Sequence, residues 1–424
     1  MVAQARRVLI DTVGAAIAGS TEPEVQALSR ALARGGTARI VGTRRRAAPL
    51  LAAFCNALSA CWQELDEGHR LARGHPAIHV VPVVLALGEA QRRRSREALA
   101  ALVAGYEVAA RLGRACLLRP ELHPHGVWGA LAAAATAVKL QGGEPTLLAG
   151  AMANAAALVL APPAVAALEG ATVRNAYAAV ACQHGLLAAE LARAGVTPPR
   201  QVVPLALGQI VGTHWDEQAL VDDLGSHFEI SRNYFKPYAA CRHTHGAIDL
   251  LRRLRAQHPI DPEEVTAVEV ATYRQVAAFT TPQAENALAA RFSLPTLLAL
   301  VLLGQEDFRQ LPPDLLACPE VRTLASRVRL VVDPAYDQQY PATRSTRLTL
   351  WLRDGRRLEA EAHAALGDPE CPLDDAAIDA KFLALTTRTL GEERARRALA
   401  ALRTSEEEDL RAVVALLTPA SRRQ

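Results

Sequence analysis

The sequence predicts a mainly α protein, a large all-helical domain with a smaller α+β domain inserted into it. Three observations carry that expectation. Half of the 424 residues are hydrophobic but only 4% are aromatic, and the apolar share comes from Ala, Leu and Val, which suits packed helices better than a β-sandwich. Apolar positions recur at helical spacing from the N-terminus to about residue 195. Beyond about residue 265 the period becomes two, and it returns to helical after residue 372.

Taken in order, Val8, Leu9, Val13 and Ile17 form one face of an amphipathic helix. Asp11 interrupts that apolar run, so the N-terminus reads as a helix and not as a signal peptide. Leu102, Tyr106, Ala109, Gly113 and Cys116 share a second face, with small residues that permit close helix approach. Gly129 to Leu140 is almost all Ala and reads as a buried helix. The low-charge stretch from Pro145 to Leu168 holds Asn154 and Pro162-Pro163, which makes a poor membrane span. Val268 and Val270 alternate with charged or small residues, as do Val328, Leu330 and Val332. Leu348, Leu350 and Leu352, then Asp354-Gly355, then Leu358, Ala360 and Ala362 read as a hairpin. From Asp374 the chain returns to helix as far as Leu417. The expected domains are 1–234 with 372–424, and 235–371.

Composition excludes several functions. Forty-seven Lys and Arg against 44 Asp and Glu leave a charge of +3, too balanced for a chain that grips nucleic acid. No nucleic-acid or membrane partner is expected. Seven scattered cysteines form no C-x-x-C pair, which points to reduced thiols in the cytoplasm and away from zinc or iron–sulfur sites. Phosphate-loop, G-x-S-x-G and dinucleotide fingerprints are missing from the sequence. The basic run Arg92 to Arg96 reads as a solvated loop.

Three stretches concentrate polar residues. Glu64-Leu65-Asp66-Glu67-Gly68-His69 is followed by Gly74-His75-Pro76-Ala77-Ile78-His79, a carboxylate and imidazole set suited to general acid–base work. His123-Pro124-His125-Gly126-Val127-Trp128-Gly129 precedes the Ala-rich helix, and its glycines would let the backbone approach a ligand. Asn233-Tyr234-Phe235-Lys236-Pro237-Tyr238, with Cys241, Arg242, His243 and His245, lies where the period changes. Lysine occurs only at 139, 236 and 381 in this Arg-rich chain, so Lys236 between two tyrosines suggests a compact ammonium with a task.

Read together, these stretches resemble the MmgE/PrpD family, whose members include 2-methylcitrate dehydratase, cis-aconitate decarboxylase and an iminodisuccinate epimerase. Asp11-Thr12-Val13-Gly14, the Asp66–His75 segment, His123-Pro124-His125-Gly126, Lys236-Pro237-Tyr238 with Cys241, Arg291-Phe292-Ser293-Leu294-Pro295, Gly367-Asp368-Pro369 and Lys381-Phe382 carry the likeness in order. The resemblance implies a helical domain with an α+β lid, usually as a homodimer, and a metal-free, cofactor-free lyase acting on small polycarboxylates in the cleft between its domains. By position it implies Asp66, His75, His123 and Lys236 as catalytic residues. His69, Arg174, Tyr238, Arg242 and His245 are expected as substrate contacts. Arg174 stands where several members have lysine, and Thr296 where several have tyrosine. The expected reaction is dehydration of a hydroxylated di- or tricarboxylate. Decarboxylation, epimerisation and silent binding of a polycarboxylate are the alternatives.

Overall fold

The structure, a computed structural model, describes residues 1–420; the last four residues of the helical segment expected over 372–424 lie outside them. The described residues are mainly α-helical with only small sheets. No helix among them is long and apolar enough to cross a membrane. The chain divides into two compact units, one formed by Met1–Ala164, Asn175–Phe235 and the chain from Leu373, the other by Val165–Arg174 and Lys236–Pro372.

In the first unit the principal helices are α1 (Val2–Gly19), α2 (Pro49–Trp62), α3 (Ala77–Ala90), α4 (Ser95–Ala115), α5 (Gly129–Leu140), α6 (Pro145–Ala157) and α7 (Tyr177–Arg193). The Ala-rich α5 is the hub and packs against α3, α4, α6 and α7. Small side chains make this possible: a Cβ at Gly185 of α7 would lie 2.5 Å from the Ala130 carbonyl oxygen and from Ala133 Cβ. Backbones therefore cross as closely as glycine permits. Two-residue strands β1 (Gly68–His69) and β2 (Asn233–Tyr234) pair antiparallel. So short a ladder has no periodic signature in the sequence.

The second unit contains α8 (His245–Gln257), β3 (Val265–Thr272), α9 (Leu294–Leu302), α10 (Pro319–Ser326), β4 (Val328–Val332), β5 (Thr346–Leu352) and β6 (Arg357–Ala362). Its sheet has the order β6-β5-β3-β4, with β4 parallel to β3 and the other pairs antiparallel. Parallel pairing demands a long crossover, and the segment between β3 and β4 supplies it with α9 and α10. Val268, Val270, Leu348 and Leu350 are buried, as alternation predicts. The β5–β6 turn needs Gly355, whose φ is +88°.

One segment departs from the sequence expectation. Residues 165–174 are assigned by position to the helical domain, but they pack in the second unit. Ala167 joins a small core with Cys241, Leu288 and Phe292, and Asn286 Nδ2 donates to the Gly170 carbonyl at 3.1 Å. Arg174 therefore belongs to the second unit.

The chain returns to the first unit with α11 (Asp375–Leu390), α12 (Glu392–Thr404) and α13 (Leu410–Leu416). Asp11 of α1, which reads as a break in an apolar run, is itself buried. Lys381 of α11 donates to Asp11 Oδ1 at 2.6 Å and to the Leu65 carbonyl at 2.7 Å. Burial pushes the Asp11 carboxyl up, and Lys381 opposes the shift. Replacing Lys381 with Ala leaves a buried acid without its cation, and should cost about 3–5 kcal/mol in urea unfolding. Adding Asp11→Asn to that variant should recover much of the loss. A Lys381→Ala protein as stable as the parent would show that the pair is unimportant.

Candidate active site

The loop between α2 and α3 is built by bonds inside the first unit. The His69 N–H donates to the Gly74 carbonyl at 2.8 Å, and the Ala72 N–H donates to His69 Nδ1 at 3.1 Å. Glu67 closes the loop. Its Oε1 accepts from the Ala77 N–H, the first residue of α3, at 2.8 Å, and its Oε2 lies 2.9 Å from the Tyr106 hydroxyl of α4. Burial pushes the Glu67 carboxyl up to about 8, with the Ala77 and Tyr106 bonds opposing and Asp11 and Asp66 adding to the rise.

His75 sits at the end of this loop. Its Nδ1 is 2.7 Å from the Glu67 carbonyl oxygen and 2.8 Å from Asp66 Oδ2, with Asp66 fully buried. A carbonyl can only accept, so Nδ1 carries the hydrogen and the neutral ring keeps its lone pair on Nε2. The His125 ring centroid lies 4.8 Å from that of His75 and 4.5 Å from that of His123, edge-on in both cases. The His125 N–H also donates to His123 Nδ1 at 3.1 Å. The structure thus brings together Asp66, His75 and His123, with fully buried His125 between the two other rings. Sequence reasoning gives His125 no role; its place midway through an H-P-H-G turn was the available signal.

His79 is also part of this neighbourhood. It donates from Nδ1 to the His75 carbonyl at 2.9 Å and accepts at Nε2 from the Gly126 N–H at 3.4 Å. Burial pushes it down to about 4. A Cβ on Gly129 would lie 2.0 Å from His79 Cδ2. The glycine expected to admit a ligand instead seats this ring, while Gly126 supplies a left-handed φ of +96°.

His69, expected to touch substrate, is consumed by the fold. Its Nδ1 accepts the Ala72 N–H, and its Nε2 lies 3.1 Å from Glu229 Oε2. Burial lowers its pKa against the pull of Glu229. Burial would raise Glu229 in turn, but His69, Arg114 and Arg232 hold it at about 2.

The remaining expected residues lie in the second unit. Lys236 is fully buried. The Tyr238 hydroxyl donates to Asp249 Oδ1 at 2.7 Å. Arg242 pairs with Asp368 Oδ1 at 2.9 Å and donates to the carbonyls of Ala365 and Leu366. It also donates to His245 Nδ1 at 3.2 Å, because His245 uses Nε2–H on the Ala240 carbonyl. Burial would raise Asp368, but Arg242 and Arg344 hold it below the usual carboxylate range. Arg174 is buried, its guanidinium 5.2 Å from the Phe292 ring centre. The Thr296 hydroxyl accepts from the Ser293 hydroxyl at 2.8 Å, and Ser293 caps the start of α9 by accepting the Thr296 N–H at 3.1 Å.

Comparison with known proteins bears on the same segments. The MmgE/PrpD N-terminal domain model matches residues 1–210, and the C-terminal domain model matches residues 238–407. The chain belongs to the MmgE/PrpD family. Relatives of this MmgE/PrpD protein include the cis-aconitate decarboxylase of Aspergillus terreus, 24% identical over 429 residues that cover 92% of this chain and 86% of the relative. Another is the cis-aconitate decarboxylase-like protein oryM of Aspergillus oryzae, 27% identical over 279 residues, covering 60% of this chain and 58% of the relative. Asp66, His75 and His123 fall inside the N-terminal match, whereas Lys236 lies between the two matches.

Glu67 yields a pH test. Its folded value near 8 exceeds an unfolded value near ~4.3, so the folded chain holds a proton that the unfolded chain releases. Stability from this group is complete below ~4.3 and declines by at most about 1.4 kcal/mol per pH unit until about 8. The melting temperature should therefore fall more between pH 6 and 8 in the parent than in Glu67→Gln. Parallel curves would show that Glu67 ionises normally.

Proposed function

We propose that this MmgE/PrpD protein is a lyase that removes a proton beside a carboxylate of a small hydroxylated polycarboxylate and expels water, as 2-methylcitrate dehydratase does. The observation that carries this reading is the Asp66–His75 pair, with Nδ1 of His75 committed to the Glu67 carbonyl. In the proposed step His75 Nε2 takes the proton, and the Asp66 carboxylate steadies the imidazolium that forms. The electron pair left on carbon spreads into the neighbouring carboxylate, where Lys236 and Arg174 are proposed to stabilise it. His123 protonates the departing hydroxyl, the C–O bond breaks, and a double bond remains. His69, Tyr238, Arg242 and His245, each bonded within its own unit, are proposed as supports for the residues around them and not as substrate contacts. No metal or cofactor enters this scheme.

A second reading is favoured by the names of the relatives, both of the cis-aconitate decarboxylase type. There the same carboxylate-stabilised charge would form by loss of CO2 and be quenched by a proton. Incubating the protein in deuterated water with 2-methylcitrate, citrate and cis-aconitate, followed by NMR, separates the two. Dehydration gives new alkene signals from the hydroxy acids, and decarboxylation gives a product one carboxylate shorter. Turnover should persist with chelator present. A panel left unchanged, with no C–H exchange into deuterium, would overturn the proposal. His75→Ala should lower turnover about 10²–10⁴-fold while leaving the thermal transition nearly unchanged. A large loss of stability with no specific loss of rate would make His75 structural.

A further inference from the structure

We propose that Glu67 is a positioning residue whose carboxyl closes the Asp66–His75 loop and so determines which nitrogen of His75 bears the hydrogen. The inference rests on the reading of His75 as the base, and its test requires no substrate.

Glu67 holds His75 from two directions. Its backbone carbonyl accepts the His75 Nδ1–H at 2.7 Å. Its side chain reaches across the loop to the Ala77 N–H at 2.8 Å, two residues beyond His75, and so fixes the start of α3. The other carboxyl oxygen meets the Tyr106 hydroxyl at 2.9 Å and Asn233 Nδ2 at 3.5 Å, which ties the loop to α4 and β2. The side chain is entirely buried, so its bonds serve the protein and not the solvent. In water the two neutral tautomers of imidazole lie close in energy, and one well-placed acceptor decides between them. If the loop opened, Nδ1 would lose both the Glu67 carbonyl and the adjoining Asp66 carboxylate, and the hydrogen could move to Nε2, which removes the lone pair needed for proton abstraction. Glutamine can reproduce the acceptor to Ala77 and a polar partner for Tyr106, whereas alanine can do neither.

The test is nitrogen NMR on the full chain with ¹⁵N-labelled histidine, reading the tautomer of His75 from two-bond proton–nitrogen correlations and assigning it by its absence in His75→Gln. The parent and Glu67→Gln should both show His75 as Nδ1–H. Glu67→Ala should show a mixture of the two tautomers, while His245 in the second unit remains Nε2–H. Rescue by Gln separates positioning from a general loss of packing. If Glu67→Ala does not fold, Tyr106→Phe decides, because it removes one of the carboxyl's bonds and should still move the His75 tautomer balance. Glu67→Ala, or Tyr106→Phe in its place, with His75 still wholly Nδ1–H would overturn the proposal. A polycarboxylate panel without turnover would overturn the reaction and leave this result standing.

Discussion

The carboxyl groups that the first unit buries include those of Asp11, Asp66 and Glu67, in a body packed from Ala, Leu and Val. A buried acid is costly unless a cation, a proton or several hydrogen-bond donors accompany it. Each of the three has a different companion. Asp11 has Lys381, Asp66 has the imidazole of His75, and Glu67 has a neighbourhood that favours its proton. These solutions are linked, because Lys381 also donates to the Leu65 carbonyl, immediately before Asp66. The cation that compensates one acid therefore anchors the chain that presents the next. The placement of Asp66, and with it the chemistry proposed for the Asp66–His75 pair, is thus tied to a salt bridge made between α1 and α11.

The second unit shows the same economy with the opposite sign. Arg242 is buried, and its charge is met by Asp368, two carbonyls and the lone pair of His245. Such a guanidinium is already engaged, and it serves better to hold the 365–368 turn than to bind a second anion. Lys236 and Arg174, both buried, are the cations proposed to face a polycarboxylate. Arginine at 174 suits a carboxylate through its planar fork, and it does not release a proton near neutral pH. Proton transfer in the proposed reaction consequently falls to the imidazoles.

Much of this was legible in the sequence. The helical period of α1, α4 and α5 and the alternation of β3, β5 and β6 are local signals. Asp66, His75 and His123 stood out because polar residues cluster in an otherwise apolar chain. What escaped depends on contacts between distant residues. Tyr106 reaches Glu67 from 39 positions away, and Asn233 reaches it from 166. His125 becomes a bridge only when α2, α3 and the turn before α5 are assembled around it. Gly129 reads as room for a ligand until His79 is seen to fill the space. His69 and Arg242 look free in sequence because their carboxylate partners, Glu229 and Asp368, lie more than a hundred positions away. Residues 165–174 follow the helices in sequence but pack with Cys241 and Phe292.

The central claim is that Asp66 and His75 act as one unit. A double-mutant cycle on kcat tests it most directly, with Asp66→Asn, His75→Ala and the combined variant compared on whichever polycarboxylate the parent turns over. If the pair works as a unit, the combined variant should be no slower than His75→Ala alone, because removing the base already removes what Asp66 supports. Losses that multiply, with the double variant slower by the product of the single effects, would contradict the account.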